Sequence, residues 1–360
     1  MPPDPGATRR DVSLDDRADL PTLSFDTLRD HLLEEAADHA IPLRDRAPDR
    51  VALETAYGRI AATRMRAGTR IEIAAPRADW LHILREAVLR HLAALHPASA
   101  ATLRWSDTAG RPGPDALPPN VRLARVARIA PLGRRFARVT LAPDDPAQLA
   151  AFTDAALHVR LCQPPADLVP PAWPRLGPNG ATIWPDGPRA LHRPAYTIRR
   201  IDRTAGTLDI DIFLHAGGRT ADWVRRARAG DPVALAGPGG GGIPAASRLR
   251  LVADESGYPA LARILGALPD RATGDAVLLG SDDRVPDYPL PPHPGIAVRR
   301  PGPGADLARE AGRRLASGTF LWAAGEKAAI GAVRRARSEA GLDPAGADLA
   351  AYWVRRPARR

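Results

Sequence analysis

Cysteine, lysine and aromatic residues are scarce in this 360-residue chain, and each scarcity removes a class of chemistry. The single cysteine, Cys162, leaves no intramolecular disulfide, no CxxC zinc site and no protein-ligated iron–sulfur cluster. Aromatic residues make up 5% of the chain, and one lysine, Lys327, stands among 51 cationic residues. The arginines are dispersed, with no block of five. A nucleic-acid surface concentrates its charge on one face or stripe, so this pattern argues against a nucleic-acid partner. The formal net charge of +10 is read instead as attraction for an anionic small molecule. No run approaches 18 uninterrupted apolar residues, and the opening MPPDPGATRRDVSLDD lacks the apolar core of a signal peptide. No membrane segment is expected, and the chain reads as cytoplasmic.

What is present is a globular composition, 44% apolar and 26% charged, with length for two to three domains. Residues 1–20 are Pro-, Asp- and Arg-rich and aperiodic, and are expected to be a disordered tail. Residues 21–104 read as a small α+β domain of unknown role. One helix is marked by Phe25, Leu28, Leu32 and Leu33. Strands follow near Ile60–Met65 and Arg70–Ala74, then a helix carrying Leu81, Leu84, Val88, Leu92 and Leu95. Residues 105–120 are a linker by composition.

From residue 121 to 242 the pattern alternates. Between Thr207 and His215, Leu208, Ile210, Ile212 and Leu214 share one face and Asp209 and Asp211 the other. Similar runs at Val121–Ile129, Phe136–Leu141, Leu157–Leu161, Ala195–Ile201 and Val233–Leu235 predict a small antiparallel Greek-key β-barrel. The Pro-rich stretch from Pro164 to Pro194 is expected to be a large loop crossing it. Over residues 246–360 strand alternates with helix, which predicts an α/β domain on a parallel sheet. The Gly-rich run Gly237–Gly242 is followed by Ile243-Pro244 and not by a helix, so it reads as a hinge and not as a dinucleotide fingerprint.

Two segments offer chemistry. RPAYTIR (Arg193–Arg199) puts guanidinium, phenol and hydroxyl groups within one strand, although an ordinary strand with polar outward residues would look the same. In DIFLHAGGRTADW a strand ends at His215, Gly217-Gly218 turns, and Thr220 opens a helix whose free N–H groups favour an anion such as a pyrophosphate. Thr220 as a plain N-cap and His215 as a strand-end histidine are the bland alternatives. Five histidines (His31, His39, His82, His91 and His96) form no HxxxH pair, and His82 and His91 fall on opposite faces of one helix. They read as surface or core histidines, and no metal site is expected.

Taken in order, RPAYTIR, LDIDIFLHAGGRTADW, GDPVALAGPGGG, VADESGYPALARIL, FLWAAGEKAAIGAVRR and AYWVRR resemble the siderophore-interacting protein family of FAD-dependent ferric-siderophore reductases. The first hundred residues are similar to uncharacterised domains found fused to siderophore-related proteins. The family resemblance implies a ferredoxin-reductase-like architecture with FAD on the barrel and NADH or NADPH on the α/β domain. It implies flavin contacts from Arg193, Tyr196, Thr197, Arg199, Asp211, His215, Gly218, Arg219, Thr220 and Ala221. Nicotinamide contacts would come from Asp254, Glu255, Ser256, Gly325, Glu326, Tyr352 and Trp353. Two spacings depart from the family pattern. Pro194 stands where the family arginine usually sits, with Arg193 one residue earlier, and Tyr258 adds bulk after Ser256-Gly257. The implied activity is NAD(P)H-dependent reduction of an anionic ferric siderophore by a monomer, with release of Fe(II) and no catalytic acid, base or nucleophile. A general flavin reductase or diaphorase, or a non-catalytic ferric-siderophore-binding protein, are the alternatives.

Overall fold

The computed structural model describes residues 13–38, 41–106, 112–280, 287–302, 304–313 and 318–355. The chain forms two units. One holds the residues up to Val121 together with Ala172–Ala190, and the other holds Arg122–Pro171 and Leu191 onward.

The first unit is a five-stranded antiparallel sheet in the order β1-β5-β4-β3-β2 under two main helices. Its strands are β1 (Leu14–Leu20), β2 (Leu43–Ala47), β3 (Arg50–Thr55), β4 (Gly58–Arg64) and β5 (Thr69–Ala75). Its helices are α1 (Phe25–Asp38), α2 (Ala78–Leu95) and the short α3 (Pro97–Thr102). The expected tail is therefore corrected at Leu14–Leu20, which pairs antiparallel along β5; residues 1–12 lie outside the described residues. The charged sequence LDDRADL can be a strand because its inward-facing Asp16 accepts from the Arg85 guanidinium of α2 at 2.6 Å in a buried ion pair. Without that partner a buried carboxylate would be costly.

The expected linker is corrected too. Trp105 is buried in the core of this unit, Asp115 N–H donates to Leu176 O, and Leu176 N–H donates to Ala116 O. The Pro-rich stretch does not behave as a loop belonging to the barrel. Its middle joins the first unit through the short strands β9 (Arg175–Leu176) and β10 (Thr182–Ile183), where Thr182 N–H donates to Glu86 of α2 at 2.7 Å.

The second unit begins with a six-stranded closed barrel in the order β11-β12-β7-β6-β13-β8. These strands are β6 (Val121–Leu132), β7 (Phe136–Pro143), β8 (His158–Cys162), β11 (Ala195–Asp202), β12 (Thr207–Phe213) and β13 (Pro232–Gly239). Alternation fills the barrel: Leu208, Ile210 and Ile212 are fully buried with Val139, Leu141, Leu161 and Leu235. Helix α4 (Arg219–Arg226) follows β12.

The chain then builds a five-stranded parallel sheet in the order β16-β15-β14-β17-β18. Its strands are β14 (Arg248–Ala253), β15 (Thr273–Leu278), β16 (Ile296–Arg299), β17 (Phe320–Glu326) and β18 (Ala347–Trp353). Helices α5 (Tyr258–Ala267), α6 (Leu307–Gly312) and α7 (Lys327–Glu339) cover it. One core face joins sheet and barrel, where Phe136 lies 4.7 Å from Tyr288 and stacks at 6.1 Å on Tyr258. Arg263 of α5 clasps the barrel by donating to Ile198 O at 2.7 Å, Thr153 O at 2.9 Å and Asp154 at 3.0 Å.

Candidate functional site

The barrel strand β11 and the start of α4 come together at Thr220. Its hydroxyl lies within hydrogen-bond reach of the Tyr196 phenol and 3.2 Å from His192 Nε2. Burial pushes the Tyr196 phenol above its ordinary range and His192 below its own, so both are neutral near pH 7. On β11, Ile198 faces the barrel core with Tyr196 packed against it, while Thr197 is buried on the opposite side.

The α4 start leaves its first backbone donors free. Its N-cap is Gly218, which offers no side chain, and the first bond of the helix runs from Asp222 N–H to Gly218 O. The N–H groups of Arg219, Thr220 and Ala221 therefore precede the ladder. A Cβ at Gly218 would come within 2.8 Å of the ring of His215, whose exposed side chain would have to swing aside. His215 itself is exposed, and so are Arg219 and Arg193. Arg193 stands beside Cys162, where its carbonyl accepts from Arg160 at 3.2 Å.

Arg199 Nε is buried and has no hydrogen-bond partner among the described residues. A buried donor of this kind is costly unless something accepts from it. Arg199 lies near Arg263 and Tyr288. This orphaned donor and the free N–H groups of the α4 start each suit an anionic, phosphate-bearing flavin.

Asp211, expected among the flavin contacts, is engaged by two protein partners. Both of its oxygens are taken by Arg138 at 2.8 Å each, and one also accepts from the Tyr288 hydroxyl at 2.6 Å. It is a framework residue tying the barrel to Tyr288.

The second half of the site lies at the carboxyl ends of β14 and β17, where open parallel sheets bind ligands. Asp254 accepts from Ser256 N–H at 3.0 Å and from the Trp353 indole N–H at 2.7 Å. Burial raises the Asp254 carboxyl above its usual range, against the lowering effect of those donors. A Cβ at Gly325 would meet Leu307 at 2.5 Å and Asp254 at 2.6 Å, so the backbone must pass bare. Glu255 is buried facing Arg135 at 3.8 Å. Glu326 caps α7 through Ala328 and Ala329 N–H and also accepts from Arg355 N–H, which lowers its carboxyl. Its oxygens are committed to that cap.

The two halves meet at Tyr352 of β18. Its hydroxyl lies 2.6 Å from His158 Nε2 on β8 and within reach of Thr197 on β11. Sequence reasoning missed His158, His192 and Tyr288, none of which carries a periodic or spacing signal.

Residues 125–242 match the family described as "Siderophore-interacting FAD-binding domain", and residues 246–356 match "Siderophore-interacting protein". The chain is 32% identical over 243 residues to the NADPH-dependent ferric-chelate reductase of Escherichia coli (strain K12), covering 63% of this chain and 91% of that one. It is 36% identical over 107 residues to the ferric vibriobactin reductase ViuB of Vibrio cholerae, covering 28% of this chain and 37% of that one. Among solved structures, a siderophore utilization protein from T. fusca superposes with a TM-score of 0.54 at 28% identity, over 66% of this chain and 94% of that one. SipS from Aeromonas hydrophila superposes at 0.51 with 22% identity, over 66% and 99%, and supports the fold alone.

Proposed function

The chain belongs to the siderophore-interacting protein family, and from that premise and its paired half-sites we infer that it is an FAD-containing, NAD(P)H-dependent ferric-siderophore reductase. The observation that carries this reading is the meeting of Thr197 on the barrel strand with Tyr352 on the last strand of the sheet. A flavin held by the barrel and a nicotinamide held by the sheet must face each other at such a junction.

The N–H groups of Arg219, Thr220 and Ala221 would hold the pyrophosphate, and the Arg199 guanidinium would supply a fixed positive charge. Tyr196 beside Thr220, and Thr197 on the other face of β11 beside Tyr352, would contact the flavin, with His215 and Gly218 shaping the turn. Ser256, Asp254 and the bare backbone at Gly325 seat the nicotinamide, and Tyr352 and Trp353 close over that seat. Bound FAD supplies the conversion of a two-electron donor into single-electron transfers. One NAD(P)H thus reduces two Fe(III) to Fe(II), which siderophore oxygens hold less tightly, and the iron leaves. No residue need act as acid, base or nucleophile; the protein binds, orients and excludes water. The net charge of +10 draws in an anionic chelate. We place the reaction in the cytoplasm, with the chain acting as a monomer.

Anaerobic stopped-flow tests the reading. NADH or NADPH should bleach the flavin band, and a ferric siderophore should restore it. A colourless preparation that ignores added FAD, or a reduced flavin that no ferric chelate reoxidises, would overturn the assignment.

A further inference from the structure

Outside the family-matched residues, helices α1 and α2 bring three ligand-type side chains together. His31 and Glu35 are four apart on α1 and so share one of its faces, and His91 comes from α2. His31 Nε2 lies 3.1 Å from His91 Nδ1, and Glu35 lies 3.8 Å from His91 Nε2. One donor atom from each residue falls within 4.8 Å of the others. Both helices are held by apolar side chains beneath them, Phe25 and Leu28 on α1 and Leu84, Val88 and Leu92 on α2. The three polar groups themselves are half-buried and reachable from water.

We propose that His31, Glu35 and His91 form a binding site for a divalent cation of the first transition row, of the zinc or iron(II) class. Donors at about 2.0–2.2 Å from a tetrahedral ion stand roughly 3.3 Å apart, so side-chain rotation alone brings these atoms into range. Two imidazoles with one carboxylate suit zinc or ferrous iron, whereas magnesium and calcium prefer oxygen throughout. In the hydrogen-bonded imidazole pair one facing nitrogen carries the hydrogen. That ring coordinates once the hydrogen moves to its other nitrogen. Three protein ligands leave a position open to water, the pattern of an exchangeable site and not of a closed structural one.

The test uses the full-length, flavin-loaded protein after chelator treatment. It is titrated with Zn²⁺ by calorimetry, with Co²⁺ by visible absorption, and with Fe²⁺ under anaerobic conditions. The expected result is one ion per chain. His31→Gln, Glu35→Gln and His91→Gln should each weaken binding by at least ~10-fold while flavin content and ferric-chelate turnover stay at wild-type values. Zn²⁺ should bind more tightly than Fe²⁺, as the Irving–Williams order requires of such a donor set. Should a histidine variant misfold, the accessible Glu35→Gln and the zinc-dependent rise in the wild-type melting temperature still decide. Wild-type protein that binds no ion, or variants that bind as well as wild type, would overturn the site and leave the reductase reading untouched.

Discussion

The Tyr352 hydroxyl lies 2.6 Å from His158 Nε2, joining the last strand of the parallel sheet to a barrel strand. Burial lowers His158 to about 4 and raises the Tyr352 phenol, so both are neutral near pH 7. His158 also hydrogen-bonds the Gly239 backbone, so its ring is held from both β13 and β18. Tyr352→Ala removes this bond and uncovers Thr197. The expected outcome is near-normal flavin content with a several-fold rise in NAD(P)H consumption in air without ferric chelate. Tyr352→Phe, which loses only the hydrogen bond, should show a much smaller rise. Nicotinamide oxidation assays with and without chelate measure both.

Arg199→Gln tests the guanidinium whose buried Nε has no partner among the described residues. A charge-assisted hydrogen bond contributes about 1.5–3 kcal/mol, so FAD affinity should fall roughly 10- to 100-fold. Fluorescence titration of the stripped protein with FAD gives the number. Because Arg193 is exposed, Arg193→Gln should weaken FAD binding less than Arg199→Gln.

Gly325→Ala addresses the other half of the site. The added methyl would press on Asp254 and Leu307, displacing the carboxylate that receives Ser256 and Trp353. FAD content should remain normal while KM for NAD(P)H rises several-fold. Steady-state kinetics at saturating ferric chelate separate that rise from a change in kcat.

Asp211→Asn should act on stability and not on flavin affinity. It leaves the part-buried Arg138 guanidinium facing, among the described residues, only the Asp209 carboxylate. Losing the charged acceptor should cost about 1.5–3 kcal/mol. Tyr288→Phe, which removes one hydrogen bond to the same carboxylate, should cost about 1 kcal/mol. Thermal unfolding of the two variants provides the comparison.

These residues also mark where the sequence could be read. The barrel was legible because strand alternation is local: Leu208, Ile210 and Ile212 declare the inner face of β12 by themselves. The Thr220 bend was legible for the same reason, since the glycine turn and helix start are adjacent in the chain. Asp16 was not, because an inward carboxylate makes sense only beside Arg85 on a distant helix. The bond from Tyr288 to Asp211 was hidden for the same reason, since Tyr288 lies far along the chain. His31 and His91, sixty positions apart, meet only once α1 and α2 pack.

His82 makes acid sensitivity of the first unit a measurable property. Its ring is 1% exposed, its Nε2 lies 3.0 Å from the Thr182 hydroxyl, and burial lowers it to about 4 from an ordinary 6.5. Between those values the unfolded chain binds a proton that the folded chain refuses, so stability falls as pH drops from about 6.5 toward 4 and no further below it. Taken from pH 7 to pH 5, that amounts to about 2 kcal/mol. Burial raises the neighbouring Glu86 carboxyl, which works in the opposite direction at pH values just above its ordinary range. His82→Gln keeps a partner for Thr182 but cannot titrate. The variant should therefore lose less melting temperature than wild type between pH 7 and pH 5, read from the unfolding transition of the first unit by far-UV circular dichroism. Equal losses in the two proteins would assign the acid sensitivity to other groups.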